Sequence, residues 1–171
     1  MSTIYLVGFM GSGKSTVGKL LGERLGIDFY DLDEEIEKMT KQSIPEIFQK
    51  VGEEGFRRYE SELLKNISSS KPKIIATGGG VVEKQANRIF MKENGIVIYL
   101  HTEFKSIEKR LENDENRPLW SKSFEGKKAL YIRRLTLYED CAHKKIHTDQ
   151  LSPNTIAEKI SRIMREEYWI E

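Results

Sequence analysis

The stretch Gly8-Phe9-Met10-Gly11-Ser12-Gly13-Lys14-Ser15 matches the pattern G-x-x-x-x-G-K-[ST] at every fixed position. An apolar run at residues 4–7 precedes it. Apolar residues at helical spacing follow it, namely Val17, Leu20, Leu21 and Leu25. This order predicts a strand, a glycine-rich loop and a helix. In that context the pattern is typical of a loop that binds phosphate groups.

The chemistry of this loop indicates a nucleoside triphosphate as the ligand. Glycines can adopt backbone angles closed to other residues, so successive N–H groups of the loop can turn towards one anion. The helix that begins near Lys14 adds its free N–H groups and the positive end of its dipole. We expect Lys14 to reach the β- and γ-phosphates and the Ser15 hydroxyl to bind Mg²⁺. The alternative, a plain turn with a surface lysine, does not explain the flanking pattern.

Composition limits the class of protein. The 171 residues suffice for one domain with its own core. The net charge is +1, so no overall positive field favours nucleic acid or an acidic membrane as partner. The single cysteine, Cys141, excludes an internal disulfide and fits a reducing compartment. No apolar run approaches the ~20 residues of a membrane span, and no secretory signal precedes the first strand. We therefore expect a cytoplasmic protein.

Strand-like and helix-like patterns alternate along the chain, which predicts an α/β fold with a parallel sheet covered on both faces. Strands are expected at residues 4–7, 28–33, 73–77, 95–100 and 145–147. Three helical segments separate the second strand from the third, more than a crossover requires. We interpret the excess as a substrate-binding insertion. In such sheets the ligand lies at the carboxyl ends of the strands.

Two aspartates, Asp31 and Asp33, end the second predicted strand. They are two residues apart, so both carboxylates face the same side while the chain stays extended. One can hold Mg²⁺, and the other can accept a proton from an attacking hydroxyl. We favour Asp33 as the base because it lies farther from the phosphate loop. Either aspartate could instead cap the helix that begins near Glu34.

Other candidate residues have both a functional and a structural interpretation. Gly78-Gly79-Gly80 would let backbone N–H groups approach a ligand, or would form a flexible turn. Arg57 has the i, i+4 spacing to Glu53 that exposed helix pairs show. Arg117 lies in a polar segment whose length suggests a lid, where a cation would neutralise a moving phosphoryl group. A solvated loop arginine is the alternative for Arg117. Arg134 by itself resembles an ordinary helix surface residue.

Taken together, these pieces resemble the shikimate kinase family. The pieces are GFMGSGKSTVG at 8–18, DLDEEIE at 31–37, SIPEIFQKVGEEGFRRYE at 43–60, ATGGG at 76–80, RPL at 117–119 and RRLTLYEDCA at 133–142. The resemblance runs from about residue 4 to residue 164. Their combination in this order is specific, whereas the phosphate loop alone is shared by many unrelated enzymes.

The resemblance implies a P-loop kinase fold, a three-layer sandwich with a five-stranded parallel sheet. It implies one domain over residues 1–171, with a core at about 1–32, 72–111 and 144–171. A helical substrate-binding segment is expected at about 33–61 and a mobile lid at about 113–126. The implied reaction is transfer of the γ-phosphoryl group of ATP to the 3-hydroxyl of shikimate, with Mg²⁺ as cofactor. The expected partners are ATP and shikimate, and the expected oligomeric state is a monomer.

The resemblance also implies roles for single residues. The implied catalytic residues are Asp33, Lys14 and Arg117. Shikimate would contact Asp33, Arg57, Gly79, Gly80 and Arg134, with the two arginines on its carboxylate. ATP would contact Gly11, Ser12, Gly13, Lys14, Ser15, Thr16, Arg110, Arg117 and Pro153. Ser15 and Asp31 correspond to the Mg²⁺ side, and Glu60 would orient Arg57.

Two other functions are kept as alternatives. Another small-metabolite kinase of the same fold, such as a gluconate kinase, should lack the arginine pair Arg57 and Arg134. A nucleotide-dependent switch, such as a small GTPase, would need a guanine-reading N-K-x-D motif after a strand. The sequence contains no such motif.

Overall fold

Five parallel strands form one sheet in the order β2-β3-β1-β4-β5. The computed structural model describes residues 2–68, 71–114 and 117–169. The strands are β1 (Thr3–Val7), β2 (Phe29–Asp31), β3 (Ile74–Ala76), β4 (Gly95–His101) and β5 (Lys144–His147). The predicted five-stranded parallel sheet is confirmed. Since all strands run the same way, their carboxyl ends meet at one edge of the sheet.

Helices connect successive strands. They are α1 (Lys14–Leu25), α2 (Leu32–Thr40), α3 (Ile44–Ser68), α4 (Gln85–Asn94), α5 (Phe104–Leu111), α6 (Phe124–Cys141) and α7 (Pro153–Ile163). Short 3₁₀ turns lie at Val81–Glu83 and Pro118–Ser121, and a π-helical turn at Met164–Tyr168 follows α7. Helix α3 is interrupted at Gly52, whose φ is 70° and ψ is 179°. The three helical segments predicted between β2 and β3 are therefore present.

The two faces of the sheet are covered by different helices. On β1, Ile4 and Leu6 point to one face, where they pack with the apolar residues of α1 and α7. Tyr5 and Val7 point to the other face, where buried residues of α3, α4 and α6 cover them. The result is the predicted three-layer α/β sandwich. No helix in the described part of the chain is both long and apolar enough to cross a membrane.

The second strand is shorter than predicted, because it ends at Asp31 and Asp33 lies in the first turn of α2. Asp31 Oδ1 accepts hydrogen bonds from the N–H groups of Asp33 at 3.0 Å and Glu34 at 3.2 Å. These bonds satisfy N–H groups that the first turn of a helix leaves free. The expectation of an extended chain with both carboxylates on one side is therefore wrong. Asp31 is the capping residue that the sequence left as an alternative.

The polar segment at 113–126 contains more regular structure than its composition suggests. It includes the 3₁₀ turn Pro118–Ser121 and the start of α6. Trp120 is buried, and its Nε1 donates a hydrogen bond to the carbonyl of Leu111 at 3.1 Å. Its ring packs edge-on against Phe9 of the phosphate loop, with 6.2 Å between ring centroids. Residues 115 and 116 of the predicted lid lie outside the described residues.

Candidate active site

Two adjoining cavities open at the carboxyl ends of the strands. The larger, of about 830 Å³, is lined by the phosphate loop, Asp31, Arg110 and Pro153. The smaller, of about 80 Å³, is lined by Arg57, Glu60, the three glycines 78–80 and Arg134, with Met10, Phe48, Phe56 and Leu119 as apolar wall. Asp33, Ile44, Gly79 and Arg117 line both cavities. Those four residues therefore mark the junction between the two.

The phosphate loop is shaped by glycines and by one buried lysine. Gly11 and Gly13 have φ values of 78° and 91°, which favour glycine over any other residue. Lys14 Nζ donates hydrogen bonds to the carbonyl oxygens of Gly8 at 2.8 Å and Phe9 at 3.0 Å. Burial, with a smaller contribution from the charge of Arg117, lowers the pKa of Lys14 to about 7. A phosphate group in this loop would stabilise the charged lysine.

Ser15 and Asp31 form a pair of oxygen ligands that line the larger cavity. The Ser15 hydroxyl donates a hydrogen bond to Asp31 Oδ2, while Oδ1 of the same carboxylate caps α2. In the described residues no three His, Cys, Asp or Glu side chains group together as a metal cage. Mg²⁺ does not need one, since it commonly takes one or two protein oxygens together with substrate phosphates and waters. The donor set therefore fits Mg²⁺.

Asp33 and Glu60 present carboxylate oxygens to the same small space. Asp33 Oδ1 and Glu60 Oε2 are buried, and neither has a hydrogen-bond partner among the described residues. A methyl group built on Gly78 would lie 2.6 Å from Glu60 Oε2 and 2.9 Å from Asp33 Oδ1. Burial, followed by the charge of Asp31, raises the pKa of Asp33. An unpaired, buried acceptor of this kind can receive a hydroxyl proton.

Arg57 is buried at the side of the smaller cavity and is held by two carboxylates. Its Nη1 donates to Glu60 Oε1 at 2.9 Å, and its Nη2 lies 3.4 Å from Glu53 Oε1. Burial acts to lower the pKa of Arg57, but the charges of Glu60 and Glu53 outweigh it and raise the pKa. Gly80 faces this guanidinium so closely that a side-chain carbon there would overlap it. Of the two interpretations left open for Arg57, the exposed helix pair is wrong.

Arg134 faces the same cavity from α6 and is 1% exposed. Its Nε donates a hydrogen bond to Glu83 Oε1 at 2.8 Å. Its Nη1 lies 3.5 Å from the position that a side-chain carbon of Gly79 would take, and Nη2 has no partner among the described residues. Two buried guanidinium groups, Arg57 and Arg134, thus adjoin one small cavity. Planar guanidinium groups are suited to a carboxylate ligand.

Two further arginines lie around the larger cavity. Arg117 Nε donates to Asp114 Oδ2 at 3.0 Å, and Arg110 Nη1 donates to the carbonyl of Gly11 at 2.8 Å. Arg117 is partly exposed, so it can change partner when a ligand arrives. Arg110 closes over the phosphate loop from α5.

Every site residue named from the sequence lines one of the two cavities. Sequence reasoning missed Asp114 beside Arg117, Glu83 beside Arg134, and Tyr138, whose hydroxyl donates to the carbonyl of Gly79 at 2.6 Å. One indirect signal was available. Arg134 is buried and its neighbour Arg133 is exposed, and a buried arginine requires a carboxylate partner, but spacing does not reveal one some fifty positions earlier in the chain.

The sequence model of the shikimate kinase family matches residues 10–165. The chain belongs to the shikimate kinase family. Shikimate kinase of Persephonella marina is 44% identical over 160 residues, which cover 94% of this chain and 97% of that protein. Shikimate kinase of Nitrosospira multiformis is 42% identical and covers 93% of this chain and 83% of that protein.

Solved structures agree with this family. The shikimate kinase of Acinetobacter baumannii in complex with shikimate superposes with a TM-score of 0.93 at 42% identity, covering 96% of this chain and 93% of that one. The enzyme of Aquifex aeolicus gives a TM-score of 0.84 at 38% identity, with 94% of each chain covered. A gluconokinase of Sinorhizobium meliloti reaches only 0.61 at 18% identity, with 98% and 96% covered, and shares the fold alone.

Membership of this family defines the reaction. Shikimate kinases transfer the γ-phosphoryl group of ATP to the 3-hydroxyl of shikimate and release ADP and shikimate 3-phosphate. The chain is accordingly an ATP-dependent kinase of the shikimate pathway. The predicted function is confirmed, and the gluconate kinase and GTPase alternatives are wrong.

Proposed function

We propose that this shikimate kinase transfers the phosphoryl group across the junction of its two cavities, with ATP in the larger and shikimate in the smaller. The observation that carries the proposal is that Asp33 and Arg117 line both cavities. A residue that acts on the attacking hydroxyl and a residue that stabilises the moving phosphoryl group must both reach the point where the substrates meet.

Shikimate binding is assigned to the residues around the smaller cavity. Arg57 and Arg134 would hold the carboxylate, and the 3-hydroxyl would approach Asp33. The two buried guanidinium groups support the proposal. Each has one nitrogen without a hydrogen-bond partner in the described part of the chain, namely Nε of Arg57 and Nη2 of Arg134. Gly79 and Gly80 would contact the ring through their backbone, since a side chain at Gly80 would overlap Arg57. The relative with a solved shikimate complex supports the same class of ligand.

Nucleotide binding is assigned to the larger cavity. Gly11, Ser12, Gly13, Lys14, Ser15 and Thr16 would bind the phosphates through backbone N–H groups and side chains. Arg110 and Pro153, which line the same cavity, would contact the adenine. Ser15 and Asp31 would hold a Mg²⁺ ion, which supplies neutralisation of the β- and γ-phosphate charge when it is bound.

In the proposed mechanism, Asp33 accepts the proton of the 3-hydroxyl of shikimate while the hydroxyl oxygen forms the bond to the γ-phosphorus. The bond between that phosphorus and the β,γ-bridging oxygen breaks, and ADP leaves. Lys14 and Arg117 stabilise the negative charge on the phosphoryl oxygens. Burial raises the pKa of Asp33, which makes this carboxylate a stronger base than an exposed one.

We also propose that the enzyme acts as a monomer in the cytoplasm. All of the assigned residues come from one chain, so the site needs no second copy. The single cysteine, Cys141, is free and buried, in keeping with a reducing compartment. Sedimentation at the concentration used for the kinetic assay would test the monomer.

The role of Asp33 can be tested by measuring ADP release with and without shikimate for the wild type and for Asp33→Asn. We expect the shikimate-dependent rate of the variant to fall by about 10²- to 10⁴-fold, while ATP still binds. Asp140→Asn is the matched control, because Asp140 is an exposed acid that pairs with Arg88 outside both cavities. A variant Asp33→Asn with the wild-type rate would exclude Asp33 as the base.

A further inference from the structure

Glu83 contacts two adjacent arginines with one oxygen atom. Its Oε1 accepts hydrogen bonds from Arg134 Nε at 2.8 Å and from Arg133 Nη2 at 2.6 Å. Burial acts to raise the pKa of Glu83, but the hydrogen bonds from the two arginines outweigh it and lower the pKa. Glu83 therefore remains ionised. It lies in the 3₁₀ turn that directly follows the three glycines.

The contact with Glu83 determines which edge of Arg134 faces the cavity. An arginine side chain has several rotatable bonds and loses about 2 kcal/mol of rotamer entropy when it is fixed. Glu83 takes Nε, and this leaves Nη2 of a fully buried guanidinium without a partner among the described residues. A ligand in the smaller cavity, which Arg134 lines, would supply the hydrogen-bond partner that Nη2 lacks.

Tyr138 makes a parallel contact one helical turn further along α6. It is fully buried, and its hydroxyl donates to the carbonyl of Gly79 at 2.6 Å. Burial raises the pKa of Tyr138, so the hydroxyl stays protonated and can serve as a donor. A side-chain carbon on Gly79 would also lie 3.5 Å from Arg134 Nη1. The hydroxyl thus fixes the peptide that borders both Arg134 and the junction of the cavities.

We propose that Glu83 and Tyr138 are positioning residues for shikimate: Glu83 orients Arg134, and Tyr138 fixes the Gly79 peptide. Neither residue lines either cavity. This inference rests on the proposed function, because orientation of these groups matters only if they bind shikimate. A competing account makes Glu83 a counter-charge that weakens the attraction between Arg134 and the substrate carboxylate. The two accounts predict opposite changes in the Michaelis constant when Glu83 loses its charge.

The test compares Glu83→Gln and Tyr138→Phe with the wild type by steady-state kinetics and thermal unfolding. We expect the KM for shikimate to rise about ten-fold in Glu83→Gln, which corresponds to about 1.4 kcal/mol. We expect a rise of about three-fold in Tyr138→Phe, which removes one neutral hydrogen bond. In both, kcat and the KM for ATP should stay within about two-fold of the wild type, since the transfer chemistry is untouched. Tyr138→Phe keeps the ring and its packing, so it tests the inference even if Glu83→Gln folds poorly.

Three controls separate the possible outcomes. Asp140 lies in α6, as Arg134 does, and forms a carboxylate–arginine pair with Arg88 of α4. Asp140→Asn removes that pair and should leave the KM for shikimate unchanged. Arg134→Lys alone tests the proposed function: if it leaves that KM unchanged, the assignment of Arg134 fails first. Glu83→Gln added to Arg134→Lys should change the KM much less than it does alone, because Glu83 acts through Arg134.

The inference is overturned by any of three results. The first is an unchanged or lower KM for shikimate in Glu83→Gln or in Tyr138→Phe when Arg134→Lys raises it. The second is a fall in kcat, ATP affinity and melting temperature together, which would mean a general structural role. The third is full additivity of the Glu83 and Arg134 changes.

Discussion

Gly80 should tolerate no side chain, because its α-carbon lies against the guanidinium of Arg57. In Gly80→Ala the new methyl group would overlap the guanidinium carbon and lie 2.6 Å from Nη1. Arg57 is 7% exposed and is held by Glu60 at 2.9 Å, so it can move only by giving up that contact. The expected result is a displaced arginine in an otherwise intact fold.

The size of the effect on the KM for shikimate follows from the hydrogen bond to the substrate carboxylate that a displaced Arg57 would no longer make. A hydrogen bond to a charged group contributes about 1.5–3 kcal/mol, and about 1.4 kcal/mol corresponds to a factor of ten. We therefore expect Gly80→Ala to raise the KM for shikimate about 10- to 150-fold. The free energy of unfolding should fall by about 1–3 kcal/mol from overpacking. The KM for ATP should change little, since Gly80 does not line the larger cavity.

The assay is shikimate-dependent ADP release at saturating ATP, with urea unfolding on the same samples. Gly79→Ala is the comparison, because its methyl group would meet nothing closer than Met10 N at 3.2 Å. It should therefore raise the KM for shikimate less than Gly80→Ala does. In an Arg57→Ala background the methyl group at position 80 has room, and Gly80→Ala should then raise the KM no further. A large additional effect in that background, or none in the wild-type background, would show that the methyl group does not act through Arg57.

Three further changes test other parts of the site. Asp31→Asn keeps an oxygen to cap α2, so the free energy of unfolding should stay within about 0.5 kcal/mol of the wild type. The Mg²⁺ concentration for half-maximal activity should rise, because the variant loses a charged ligand. An unchanged Mg²⁺ titration would exclude Asp31 as a metal ligand. Trp120→Ala removes the buried ring that packs on Phe9 and should cost about 3 kcal/mol of stability, whereas an unchanged urea midpoint would contradict that packing. Burial raises the pKa of Glu60 from 4.5 to about 7, so the folded protein binds more protons than the unfolded chain between those values. The stability of the wild type relative to Glu60→Gln should therefore fall as the pH rises from 4.5 to 7; urea unfolding across that range should show no such fall if Glu60 titrates normally.

The parts of the molecule that depend on local chemistry were predictable from the sequence. The glycine pattern before Lys14 predicted the loop and its cavity, and alternating apolar segments predicted the five strands. The end of β2 was not predicted, since the apolar pattern runs on to Leu32. Helix α2 begins at Leu32 because the Asp31 carboxylate accepts hydrogen bonds from two N–H groups of the first turn. Apolar periodicity alone does not show whether such a residue continues a strand or caps a helix.

Contacts between distant segments were beyond sequence reasoning. Arg57 and Arg134 acquired a shared role only through the family resemblance, because the spacing of each arginine equally fits a helix surface. Glu83 and Tyr138 belong to no motif, and their importance depends on α6 packing beside the turn that follows β3. Such contacts depend on how the sheet is ordered and how the helices pack on it, and these cannot be deduced from the pattern of a single sequence.

The junction at Asp33 and Arg117 has a consequence for inhibitor design. A single molecule could place an adenosine group in one cavity and a cyclic carboxylic acid in the other, with an anionic linker passing these two side chains. Binding of either end would raise the effective concentration of the other, so the whole can bind more tightly than its separate halves. Other ATP-binding enzymes share the nucleotide half of this arrangement, so selectivity would come from the acid end and the length of the linker.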